Sequence, residues 1–185
     1  MIYKDSKILF NKESIQTEGG NIVMHEWESP IMQHVANFVC QDGGDIIEMG
    51  FGMGISANFI QQHHIKSHTI CEIHSEVIPL LEEWADNREN VKIITGCWWE
   101  NRELLEAYDG VFFDTYLDAK ASSFKKLIPK ICNDQAKVTW WNNLPRDWNE
   151  HKFKNVEFET LHVNPPQNDY FNHKEYHMPK YTHHG

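Results

Sequence analysis

The feature that most constrains this chain is the run Ile46-Ile47-Glu48-Met49-Gly50-Phe51-Gly52-Met53-Gly54, followed by the helical-looking ISANFIQQHH. A short apolar strand that feeds a glycine-rich turn and then a helix belongs to a parallel α/β sheet, and the turn forms a platform for a nucleotide-like cofactor. Glycine serves there because positive φ or a missing Cβ lets backbone approach a ligand. The dinucleotide fingerprint G-x-G-x-x-G would need glycine at position 55, where Ile55 stands. That spacing disfavours an NAD-dependent oxidoreductase.

Strand and helix patterns alternate around this run. Ser29-Pro30 reads as a helix start, with serine at the N-cap. Ile31, Val35, Phe38 and Val39 then share one face, and Asp42-Gly43-Gly44 ends the helix. Strands are expected at 45–49, 68–72, 91–94, 108–113, 137–141, 156–163 and 175–178. Helices are expected at 75–84, with Val77, Leu80, Leu81 and Trp84 toward the sheet, and at 122–131. The pattern predicts an α/β fold: a mostly parallel seven-stranded sheet with an antiparallel edge pair and helices on both faces. Residues 1–20 are expected to form an N-terminal arm or lid, and residues 21–185 a single domain.

A formal charge of −10 repels nucleic acid and anionic membrane, and suits a cationic or neutral small substrate. No apolar run approaches the roughly 20 residues of a membrane span, and the opening MIYKDSKILFNK does not read as a secretory signal. Cys40, Cys71, Cys97 and Cys132 are scattered without a CxxC pair, the usage of a reduced, cytoplasmic protein. The 12 histidines lack ligand spacing, with His63-His64 in a polar linker and His183-His184 at an expected frayed end, so no metal site is predicted.

Four further positions carry chemistry. Glu72 ends the strand after the glycine turn, where a carboxylate can accept both ribose hydroxyls; a solvated strand-end charge is the competing account. Trp98 and Trp99 are adjacent, so an extended segment would send them to opposite faces, leaving one free to stack on a flat base or to pack a surface loop. Glu28 precedes the first helix and Asp114 ends the strand at 108–113. If both face one crevice at the carboxyl ends of the strands, they are costly to bury without a cation, and a planar guanidinium would satisfy both. Taken singly, Glu28 reads equally as a helix N-terminal charge and Asp114 as a turn former.

Glu48 before Gly50, Gly52 and Gly54 resembles the first motif of Rossmann-like class I methyltransferases. VMHEWESPIM, IIEMGFGMG, TICEIH and FFDTY, in this order, together with NPPQNDYF near the end, resemble guanidinoacetate N-methyltransferase and the fungal-type arginine δ-N-methyltransferases. The resemblance runs from about residue 20 to the C-terminus. It implies S-adenosyl-L-methionine as cofactor, with S-adenosyl-L-homocysteine as product. Met24, Met32, Glu48, Gly50, Phe51, Gly52, Met53, Gly54, Ile55, Glu72, Ile73, His74, Trp98 and Trp99 would line the cofactor. Glu28 and Asp114 would hold the guanidino group, with Tyr116 nearby and the backbone of Asn143 and Leu144 at the acceptor's carboxylate. Trp141-Asn142-Asn143 departs from the family pattern, Gly54 is nearer the arginine branch, and Tyr3 or Phe10 would replace an N-terminal tryptophan of the lid.

The expected activity is methyl transfer to a guanidino nitrogen of a small acceptor: guanidinoacetate, arginine or an arginine-derived metabolite. Asp114 would take the proton and Glu28 would orient the cation. Protein or peptide arginine methylation and a catalytically silent cofactor-binding scaffold are the alternatives. Oligomeric state is left open.

Overall fold

The computed structural model describes residues 3–144 and 149–185. Its centre is a seven-stranded sheet built from β4 (Asp45–Met49), β5 (Ser67–Glu72), β6 (Val91–Thr95), β7 (Tyr108–Phe113), β8 (Cys132–Trp140), β9 (Glu157–His162) and β10 (Glu175–Thr182). The spatial order is β6-β5-β4-β7-β8-β10-β9. β4 through β8 pair in parallel, and β10 runs antiparallel to both β8 and β9. This is the expected mostly parallel sheet with its antiparallel edge pair. The order reverses between β4 and β7, and ligands of open α/β sheets bind outside the carboxyl ends at such a point.

The period of two along each central strand sorts the core. Ile46 and Phe112 pack with α1 (Ser29–Val39) through Ile31, Met32, Val35 and Val39. Ile47, Val111 and Phe113 face the other way, onto Phe124, Leu127, Ile128 and Ile131 of α4 (Phe124–Ile131). A third cluster joins α2 (Ile55–Ile60) and α3 (Ile78–Ala85) to the N-terminal segment. Val77 and Leu81 are buried as expected, whereas Leu80 is 42% exposed, because the short α3 lies at the sheet's edge against β6 and has one inner face.

Three local expectations are corrected. Helix α1 begins at Ser29, with Glu28 at the cap position, because a 3-10 turn at Glu26–Glu28 runs straight into it and leaves no extended residue for Ser29 to cap. β10 continues past Pro179 to Thr182, setting Tyr181 and Thr182 against Val138 and Lys137. His183 therefore does not fray: its N–H donates to Ala136 O at 2.9 Å, and it is buried. The N-terminal segment also carries regular structure, an antiparallel meander of β1 (Ile8–Phe10), β2 (Ser14–Thr17) and β3 (Ile22–His25).

Candidate active site

The glycine turn leaves β4 with Gly50 at φ 98° and Gly52 at φ 54°, both in the left-handed region. A Cβ on Gly50 would lie 2.0 Å from Asp114 O, so the turn and the end of β7 touch backbone to backbone. A Cβ on Gly52 would lie 2.5 Å from Met24 Sδ. The absent side chains open a cavity of about 360 Å³ at the carboxyl ends of β4 to β7, within the size range of small-ligand sites. Its wall includes Gly50, Phe51, Gly52, Glu72, Ile73, Trp98, Asp114, Thr115 and Tyr116. A larger cleft of about 560 Å³ beside β6 lacks this convergence of glycines and carboxylates.

Glu72 is held rigidly. Its Oε2 accepts from Phe51 N, and its Oε1 from Ile73 N and His74 N, each at 2.8 Å. A carboxylate offers about four lone-pair sites, so acceptor capacity is left toward the cavity. Trp98 is 4% exposed and donates from Nε1 to Asp118 Oδ2 at 2.6 Å, which fixes its ring in the wall. Trp99 lies outside the cavity wall, with the Arg102 guanidinium 5.0 Å from its ring centre. Only Trp98 enters the wall, but the two indoles do not part to opposite faces: the segment turns rather than extends, and their rings meet edge to face at 5.7 Å.

Other positions implied by the resemblance are spread around the cavity. Met24 and Tyr116 line it, and Met53 N lies 3.2 Å from Met24 Sδ. Met32 is fully buried in the core beneath α1. Glu48 is fully buried behind the wall, hydrogen-bonded by Ser56 Oγ, with its Oε2 3.3 Å from His68 Nε2. Met53, Gly54 and Ile55 continue from the turn into α2 without lining the cavity. His74 is buried and contacts Ser6 O through Nε2 at 2.9 Å, which ties the N-terminal segment to the end of β5. Asn143 is exposed, and Leu144 N donates to Asn142 Oδ1 at 3.2 Å, so neither belongs to the cavity wall. Phe10 is 42% exposed, while Tyr3 lines the cavity with its ring centre 4.6 Å from His74 and 4.9 Å from Tyr116.

Asp114 lines the cavity; Glu28 does not, but lies close enough to feel the charge of Asp114. Phe112 faces α1, so Asp114, two residues further on, emerges on the same side, toward the turn that begins α1. Glu28 is 3% exposed, with Oε1 accepting from His25 N at 3.0 Å and from the Tyr170 hydroxyl. Burial, then the charge of Asp114, pushes its carboxyl up to about 8, against the pull of the Tyr170 and His25 hydrogen bonds. Burial, then the charge of Glu48, pushes Asp114 up to about 7. Both carboxyls are thus held toward the neutral form, chiefly by burial. Tyr170 and Ser56 escaped sequence reasoning, the first because nothing local links the loop after β9 to Glu28. NPPQNDYF was the signal at hand.

Sheet order, glycine turn and cavity position together define the fold of the Rossmann-like class I methyltransferases. The fold is shared with spermidine synthase from Thermotoga maritima (TM-score 0.68, 11% identity, covering 95% of this chain and 68% of that one). It is shared equally with a precorrin-6y C5,15-methyltransferase from Geobacter metallireducens (TM-score 0.64, 9% identity, 88% and 90%). The model of the guanidinoacetate N-methyltransferase family matches residues 2–139, and the chain belongs to that family. Among its relatives is protein arginine N-methyltransferase 2 of Kluyveromyces lactis, 34% identical over 126 residues, covering 62% of this chain and 31% of the relative. The Candida glabrata protein of the same name is 28% identical over 159 residues, covering 78% and 38%. The chain thus spans about a third of the length of the curated relatives it matches. No helix among the described residues is long and apolar enough to cross a membrane.

Proposed function

We propose that this chain is an S-adenosyl-L-methionine-dependent N-methyltransferase whose acceptor is the guanidino group of an arginine in a protein or peptide. The observation that carries the reading is the pairing of Glu28 and Asp114, both raised toward neutrality beside a glycine-lined cavity. The names of the relatives favour a polypeptide arginine over a free small molecule, which revises the expectation from charge and size. A free guanidino acid is the second reading, favoured by the family model's own description.

The cavity fits the cofactor: the missing Cβ atoms at Gly50 and Gly52 make room, Glu72 is preset to accept hydroxyls, and Trp98 offers a flat apolar wall. When bound, S-adenosyl-L-methionine supplies an electrophilic sulfonium methyl. The residues do the rest. Guanidinium is a poor nucleophile, protonated at all ordinary pH, and must be held in line with the methyl. Glu28 and Asp114 grip it from two sides, draw positive charge toward the bonded nitrogens, and shield it from the sulfonium. When the held nitrogen is methylated it must give up one proton, and an Asp114 oxygen would accept it. Burial raises the affinity of Asp114 for a proton, and the bound cation would hold it ionised until one is released. Tyr3, pinned between His74 and Tyr116, acts as the lid of the N-terminal arm.

The test is a turnover assay with labelled S-adenosyl-L-methionine and four acceptors in parallel: an arginine peptide, arginine, guanidinoacetate and agmatine, with the methylated nitrogen located by mass spectrometry. The peptide is expected to turn over fastest. Binding of the cofactor with no acceptor methylated would replace this reading with a silent scaffold.

A further inference from the structure

The loop between β9 and β10 is folded around one amide. Asn168 Oδ1 accepts from Tyr170 N at 3.0 Å and Phe171 N at 2.7 Å, and its Nδ2 donates to Pro166 O and Phe171 O at 2.8 Å. This side-chain turn drives Phe171 into the core, where it stacks on Trp27 at 5.5 Å between ring centres. Tyr170 is thereby delivered beside Glu28, about 140 residues away in sequence.

With Glu28 ionised, the direction of the hydrogen bonds around Tyr170 is forced. An indole N–H can only donate, so at 2.7 Å the Tyr170 oxygen must accept from Trp27 Nε1. Its own hydrogen is then committed to Glu28 Oε1, which also accepts from His25 N. Among the described residues, Glu28 Oε2 takes no hydrogen bond. Phenylalanine would fill the same space between Trp27 and Trp141, so packing does not account for the hydroxyl.

We propose that Tyr170 is a positioning residue: polarised by Trp27, its hydroxyl locks Glu28 Oε1 and presents Oε2 to the acceptor nitrogen. The acceptor half of this statement rests on the function proposed above. The lock itself is independent of it. The other ionisable groups around Glu28 are Asp114, whose charge opposes its ionisation, and Tyr176, whose oxygen is engaged by Asn142 N at 2.9 Å; the His25 ring is turned onto Trp27 N. None of these replaces the donor if Tyr170 loses its hydroxyl.

The experiment compares the unchanged chain with Tyr170→Phe, labelled with ¹³C at glutamate Cδ, the Glu28 signal being assigned by its loss in Glu28→Gln. The Glu28 titration is expected to move up by about one pH unit, because a donor favouring the ionised form is gone. With an arginine peptide, KM is expected to rise about tenfold, while the dissociation constant for S-adenosyl-L-methionine stays within about twofold. Trp27→Phe, which removes the polarising donor, should move the titration the same way by less, and it serves as the second reading if Tyr170→Phe fails to fold. An unmoved Glu28 titration in a folded variant overturns the proposal. A moved titration in a chain that methylates no guanidino compound keeps the lock and rejects the acceptor reading instead.

Discussion

At the scale of single residues, the site is governed by two acids that a folded chain holds partly protonated. A carboxyl whose folded pKa lies above its unfolded value binds extra protons in the native state, so stability falls as pH rises toward the folded pKa. For Glu28, raised from 4.5 to about 8, that loss continues through pH 6.5–8, where the unfolded acid is already ionised. The buried His151, lowered from 6.5 to about 4, contributes with the opposite sign at the lower edge of that window, where the unfolded imidazole is still half protonated, and fades as the pH rises toward 8. Thermal unfolding of the ligand-free chain is therefore expected to shift to lower temperature between pH 6.5 and 8, and Glu28→Gln to flatten the trend. A guanidinium reverses the balance by favouring the ionised pair. Calorimetry in two buffers of different ionisation enthalpy at pH 7 should thus register proton release when the acceptor binds. Asp114→Asn should leave cofactor affinity nearly intact and lower kcat by about 10²–10⁴-fold, since the proton acceptor is lost while the glycine turn is untouched; full turnover in that variant removes Asp114 from the chemistry.

At the scale of elements, the glycine turn and the end of β7 form one unit. Gly50→Ala places a methyl against the Asp114 carbonyl, a backbone atom that cannot step aside without splaying β4 from β7. Gly52→Ala meets the sulfur of Met24, part of a flexible side chain that can rotate away. Both carry the strain of a positive φ, about 1–3 kcal/mol. Urea unfolding should therefore find Gly50→Ala the more destabilising, and should find cofactor affinity lost with it. Equal costs would mean that the contact with Asp114 O yields more easily than the geometry requires. Much at this scale was legible in the chain: β4 and β7 fall where alternation and length put them, at Asp45–Met49 and Tyr108–Phe113. β10 was read short because proline is uncommon inside a paired strand, and the β1–β3 meander was missed because its strands are three or four residues long.

At the scale of the whole molecule, a net charge of −10 adds to the local field of Glu28 and Asp114. Such a field speeds the approach of a basic polypeptide and is screened within about 10 Å at 0.1 M salt. kcat/KM for an arginine-rich peptide should fall severalfold between about 50 and about 300 mM salt, and that for free arginine, a zwitterion with a smaller net charge, should fall much less; equal salt dependence would argue against a polypeptide acceptor. The chain by itself determined the sheet, the glycine turn, and the carboxylates that end or flank its elements, because periodicity, positive φ and strand termini are local properties. Only the tertiary structure decided which of those groups share a cavity. His74 follows the lining residue Ile73, Glu48 stands two residues before Gly50, and Met32 lies on α1, yet all three turn into the core, since the chain at each position points away from the cavity. Tyr170 reaches Glu28 from the far end of the chain for the converse reason: a loop whose position depends on how β9 and β10 close the sheet carries no local signal of what it will touch.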